Sequence, residues 1–138
     1  MKEAVSGTIL IVDDDEVDRE SIARSIRKCR SDIRLIEAHN GKEALALVSV
    51  DRPDLVIMDI EMPMLNGKET LVALKQDRAL SSIPVVMMST STSDADVEYC
   101  YQNHANAYLS KTLGRQTSDL AKLLEFWFGA VVRGTSPD

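Results

Sequence analysis

Long apolar runs are missing from this 138-residue chain. Its opening segment, MKEAVSGTILIV, meets Asp13 after four consecutive aliphatics. That is too short for the apolar core of a signal peptide or for a membrane span, so a cytoplasmic location is expected. Cysteine is scarce as well. Cys29 and Cys100 both fall in helix-like stretches, and they are expected to pack as small apolar groups in a reducing compartment, not to form a disulfide. Positive charge is in deficit, with 16 Lys and Arg against 22 Asp and Glu. The resulting net charge of −6 argues against a nucleic-acid backbone as partner. No linker, internal repeat or break in composition divides the chain. One domain is expected over 1–138, with its core at about 8–132 and a polar tail at 133–138.

What is present is alternation. Short aliphatic runs read as strands at Thr8–Val12, Ile33–Ala38, Leu55–Met58, Pro84–Met88 and Ala107–Ser110. Amphipathic stretches between and after them read as helices. The first runs from Val17 to about Arg30, with Val17, Ile22, Ile26 and Cys29 near one face. The second covers Lys42–Val50, after the Asn40-Gly41 turn signal and before Asp51-Arg52-Pro53. The third runs from Lys68 to about Asp77. The fourth begins at Ser93, which with Asp96 resembles a capping box, and reaches about Asn103. The last covers Asp119 to about Val132. Strands apolar on both faces require cover on both sides, which predicts a doubly wound α/β fold with a parallel sheet. In such folds ligands bind beyond the carboxyl ends of the strands.

The residues at those ends are chemically pointed. Asp13, Asp14 and Asp15 follow the first strand, Asp59 follows the third, Ser89 follows the fourth and Lys111 follows the fifth. Strands lie about 4.8 Å apart. If the first and third strands are neighbours, Asp13 or Asp14 comes close to Asp59, and crowded carboxylates repel unless a cation joins them. Mg²⁺ suits a site of few carboxylates completed by water and phosphate oxygens. A lysine and a hydroxyl opposite would complete a phosphoryl clamp, with Asp59 as nucleophile. Taken singly, each residue has a plainer role. Asp15, Asp18 and Asp51 read as caps or loop residues, an exposed lysine is usually solvated, and Ser89 alone reads as a turn residue.

Together these segments resemble the receiver domain of two-component response regulators. The carrying residues are ILIVDDD (Ile9–Asp15), LVIMDIEMPMLNG (Leu55–Gly67), IPVVMMST (Ile83–Thr90) and AYLSK (Ala107–Lys111), and the likeness spans about residues 8–132. It implies a flavodoxin-like five-stranded sheet in the order 2-1-3-4-5 with five helices. It implies that Asp13 and Asp14 organise Mg²⁺ with the carbonyl of Glu61. Asp59 would take a phosphoryl group from a sensor histidine kinase, and Ser89 and Lys111 would hold its oxygens. Tyr108 occupies the aromatic switch position. The family's usual proline after the lysine is replaced by Thr112. A non-proline cis bond costs about 3 kcal/mol, so the Lys111–Thr112 bond is expected to be trans, or cis under strain. Asn66 replaces the usual Asp before Gly67 and still suits a helix start. Glu61 and Ser91 stand where the family tunes phosphoryl lifetime. STSTSDADVEYCYQNHANAYLSKT followed by LEFWFGAVV is similar to single-domain regulators paired with bacterial and cyanobacterial phytochromes.

The last helix is too apolar for one docking face. At about 100° per residue, Leu120, Leu124, Trp127 and Val131 form a stripe with Leu123 at its edge. Phe126, Phe128 and Ala130 widen the arc to roughly 200°, where about 100° suffices to dock on a sheet. Either Phe126 and Phe128 cover sheet edges or fold under the tail, or a homodimer forms through this helix. The basic residues Arg19, Arg24, Arg27, Lys28 and Arg30 read as a solvated face of the first helix. The resemblance implies that some of that face meets the kinase. His39 and His104 lack ligand spacing. Two rival functions remain. The Asp13–Asp15 triplet also fits the D-x-D of haloacid-dehalogenase-type phosphohydrolases, which would turn over phosphate esters but leave Asp59 unexplained. A phosphorylation-independent adaptor would bind its partner equally well after Asp59→Asn.

Overall fold

The computed structural model describes residues 7–91, 93–111 and 116–130. Five strands, β1 (Gly7–Val12), β2 (Ile33–Ala38), β3 (Leu55–Met58), β4 (Val85–Ser89) and β5 (Ala107–Ser110), form one parallel sheet in the order β2-β1-β3-β4-β5. The helices are α1 (Glu16–Cys29), α2 (Gly41–Asp51), α3 (Gly67–Gln76), α4 (Asp94–Gln102) and α5 (Gln116–Glu125), the last running into a π-helical turn at Phe126–Ala130. Among the described residues no helix is long and apolar enough to cross a membrane.

The period-two alternation of the strands sends their side chains to two cores. Leu10, Val12, Val56, Met58, Val85 and Met87 pack with Ala44 and Val48 of α2, Leu71 and Leu74 of α3, and Cys100 of α4. Ile9, Ile11, Leu55, Ile57, Val86 and Met88 pack instead with Ile22, Ala23 and Ile26 of α1 and Leu120 and Leu124 of α5. Nearly all these strand residues are fully buried, as a sheet covered on both faces demands. The two edge strands differ: β5 is half-buried throughout and β2 is buried only at its ends.

The starts of α1 to α4 each have a chemical cause. Asp15 caps α1, accepting from the N–H groups of Val17 and Asp18. Asn40 caps α2 and Ser93 caps α4. Asn66 and Glu69 form a complete capping box on α3. Gly67 also has no room for a side chain, because a Cβ there would collide with the carbonyl oxygen of Asp59 and lie 2.7 Å from Ile60 Cα.

Several expectations need correction. Val17 and Cys29 point to water; the buried stripe of α1 is Arg19, Ile22, Ala23, Ser25 and Ile26. Arg19 is therefore not a solvated basic residue. Its guanidinium donates to the Asp13 carbonyl (2.8 Å) and pairs with Glu37 (2.6 Å). Asp51 closes α2 as its last residue and pairs with Arg34 at 3.4 Å. β4 starts after Pro84 and includes Ser89, whose carbonyl accepts from Lys111 N–H. At the end of α5 the wider π turn breaks the 100° spacing. Phe128 packs on the second core, close against Gly7 and with Arg30 over its ring, while Phe126 stays 59% exposed. The Lys111–Thr112 bond, Val131 and the tail at 133–138 lie outside the described residues.

Candidate functional site

Three backbone hydrogen bonds carry the sheet one residue past its strands. Asp13 N–H donates to Ala38 O (3.1 Å), Asp59 N–H to Val12 O (2.9 Å), and Lys111 N–H to Ser89 O (2.9 Å). Val12 and Met58 are register partners, so the next residues, Asp13 and Asp59, leave the sheet side by side. Asp13, Asp14 and Asp59 each offer a carboxylate oxygen, and the three oxygens lie within 4.8 Å of one another. Asp13 is buried, Asp59 nearly so, and Asp14 is exposed. Above them opens a bowl of about 780 Å³, lined also by Asp15, Asp18, Glu61, Lys68, Thr90, Asp96 and Lys111.

Lys111 enters from the β5 side with its side chain 6% exposed. Its ammonium bonds Asp13 Oδ2 at 2.6 Å and Asp18 Oδ2 at 3.1 Å, and lies 3.2 Å from Asp59 Oδ2. Burial alone would lower its pKa, but the hydrogen bond to Asp13 and the charges of Asp13 and Asp59 outweigh burial and raise it. The ammonium therefore stays charged at neutral pH. The aspartates answer differently. Burial raises the pKa of Asp13 and of Asp59; Lys111 opposes the rise in both, and the charge of Asp13 adds to it in Asp59. One ammonium shared by three carboxylates leaves negative charge uncompensated. Oxygen donors this close, and short of positive charge, fit a hard divalent cation.

The hydroxyl side of the site holds a difference. Ser89 is 1% exposed and its Oγ accepts from Ser91 N–H at 3.0 Å, whereas its neighbour Thr90 lines the bowl. Tyr108 is half-buried on β5. Its hydroxyl donates to Ser91 O at 2.7 Å and meets Ser89, and burial raises its pKa despite these bonds. Of the sequence candidates, Asp13, Asp14, Asp59 and Lys111 converge, Glu61 lines the bowl, and Ser89 and Tyr108 meet behind it.

Sequence reasoning missed three members. Asp18 reads as a cap or loop residue in the sequence, yet it reaches Lys111; its place one turn beyond the cap Asp15 was the available signal. Asp96 forms half a capping box: its N–H bonds Ser93 Oγ, but its carboxylate pairs with Lys68 at 2.5 Å and accepts from Ser91 Oγ. Nothing local in the sequence marks Lys68, which meets Asp96 through the packing of α3 beside α4.

A family model described as the response regulator receiver domain matches residues 9–125. The chain is 32% identical to response regulator Rcp1 of Synechocystis sp., over 89% of this chain and 90% of that one. It is 33% identical to protein PilH of Pseudomonas aeruginosa, over 79% of this chain and 88% of that one. Among solved structures, the phosphorylated cyanobacterial phytochrome response regulator RcpA superposes with a TM-score of 0.86 at 27% identity, covering 91% of this chain and 96% of that one. The Mn²⁺-bound form of Rcp1 gives 0.85 at 28% identity, covering 94% and 99%.

Proposed function

Because this chain belongs to the response regulator receiver family, we propose that it is a phosphorylation switch with Asp59 as the phosphoacceptor. We read residues 1–138 as one such domain, with its core at about 8–132. The observation that carries the reading is the position of Asp59: its carboxylate lies 3.2 Å from the Lys111 ammonium and shares a 4.8 Å cluster with Asp13 and Asp14.

A carboxylate oxygen of Asp59 attacks the phosphorus of a phosphohistidine on a sensor kinase. The new O–P bond forms as the P–N bond breaks, and the imidazole leaves with the electron pair and takes up a proton. Asp13, Asp14, Asp59 and the carbonyl of Glu61 would hold Mg²⁺, which neutralises phosphoryl oxygens when bound. Lys111, already charged and aimed at Asp59, receives the transferred oxygens. Ser89 follows by exchanging its bond from Ser91 N–H for one to the phosphoryl group. Tyr108 and the loop to α4 move with it, which shifts a two-state equilibrium.

The likeness to phytochrome regulators favours a phytochrome-type histidine kinase as donor. Output runs through protein contact or phosphoryl relay, with no turnover of other substrates and no nucleic acid. The exposed Phe126 supports a homodimer through the last helix. A cytoplasmic location fits such a kinase partner. The test is incubation with acetyl phosphate and Mg²⁺ followed by mass spectrometry. A single phosphoryl adduct is expected on the wild type and none on Asp59→Asn. Adducts on both, or on neither, would remove the reading.

A further inference from the structure

Among the described residues the bowl is lined by six carboxylates and two ammonium groups, Lys111 and Lys68. Lys111 is buried and already held by three carboxylates. Lys68 is held differently. Its side chain is 30% exposed, it projects from the first turn of α3, and among the described residues its carboxylate partner is Asp96 at 2.5 Å on α4. The Tyr99 ring lies 5.0 Å from the same ammonium. Asp96 has other hydrogen-bond partners: Ser91 Oγ donates to its carboxylate at 2.5 Å, and Ser93 Oγ accepts from its backbone N–H at 3.2 Å. Asp96 therefore keeps polar partners if Lys68 leaves.

We propose that Lys68 is a second phosphoryl-binding cation, held aside by Asp96 in the resting protein and transferred to the phosphoryl group once Asp59 carries it. This rests on Asp59 being the phosphoacceptor. A phosphoryl group carries a charge approaching −2 with several strong acceptor oxygens. It enters a bowl where Lys111 is already shared three ways, so among the described residues Lys68 is the lining ammonium able to respond. The pair is partly exposed, with its side chains 30% and 24% open to water, and ion pairs open to solvent add little stability; a lysine on its flexible four-carbon stem can swing to a new partner.

The exchange has a structural consequence. Lys68–Asp96 ties α3 to α4, and Asp96 is joined to Ser91, which also holds Ser89 Oγ through its N–H and Tyr108 through its carbonyl. Withdrawal of Lys68 opens the tie and frees the start of α4. Charge at Asp59 thus reaches α4 by a route separate from Ser89.

The test is calorimetric binding of beryllofluoride, a phosphoryl mimic, in saturating Mg²⁺. Lys68→Met should weaken binding about tenfold, the worth of one charge-assisted hydrogen bond, and Lys68→Arg should restore most of it. Asp96→Asn releases the ammonium and should tighten binding severalfold. That gain should vanish in the Lys68→Met/Asp96→Asn double variant. Unchanged binding by Lys68→Met overturns the proposal, as does an Asp96→Asn gain that survives without Lys68, since bulk charge would then explain it. Failure of the wild type itself to bind would overturn the phosphoacceptor reading instead.

Discussion

At the scale of single residues, the site is a buried negative charge that one lysine does not fully offset. Burial raises the pKa of Asp59, so the folded protein binds that proton more tightly than the unfolded chain does. The ionised form therefore costs stability at every pH above the raised value. The cost falls as pH drops through that value and is gone below the ordinary aspartate value of 3.8. Asp59→Asn should accordingly raise the metal-free thermal midpoint at pH 7 by roughly 2–5 °C. Thermal melts from pH 7 down to 3.5 should show the gain fading. Lys111→Met should do the reverse. It strips the partner from buried Asp13 and Asp59, and breaking such a pair costs about 3 kcal/mol. Urea unfolding without metal measures the loss, and added Mg²⁺ should recover some of it because the cation takes over the same charges.

At the scale of elements, α3 is seated by its first residues. Gly67 N–H donates to Ile60 O at 2.8 Å, and any Cβ there meets the backbone of Asp59 and Ile60. Gly67→Ala should cost about 3 kcal/mol by overpacking against rigid backbone. Asn66→Ala, which removes only the cap, should cost about 1 kcal/mol. Urea titrations of the two variants would separate them, and equal losses would contradict the close approach. The strands were legible because sheets covered on both faces require apolar runs, and LVIM and VVMM are such runs. Asp13, Asp14, Asp59 and Lys111 were legible because parallel strands deliver the residues after them to one edge. The π turn was not legible: a heptad-like stripe through Leu120, Leu124 and Trp127 assumes a constant 100° step. Nor was the Lys68–Asp96 pair, whose partners are 28 residues apart and meet only after α3 and α4 are packed.

At the scale of the whole molecule, net charge and the acidic bowl act together. A divalent cation that binds the folded chain and not the unfolded one stabilises it by about 2.7 kcal/mol at a hundredfold excess over its dissociation constant. A saturable rise in thermal midpoint with Mg²⁺ is expected, reduced in Asp14→Asn, whose exposed carboxylate can be changed with little effect on packing. The exposed Phe126 gives a second expectation. Phe126→Ser should leave folding and labelling by acetyl phosphate intact while gel filtration shifts toward a monomer. A monomeric wild type before and after phosphorylation would discard the dimer.

The ladder bonds that pin Asp13 and Asp59 also bear on hydrogen exchange. Their amide protons are shut inside the central sheet, so they should exchange with deuterium only when the entire protein opens, among the slowest of all. The amides of Ser91 and Asp96, closed by single side-chain oxygens, should exchange orders of magnitude sooner. The proposed acceptor carboxylate would then sit on the most durable region of the molecule, with the yielding region a single loop away.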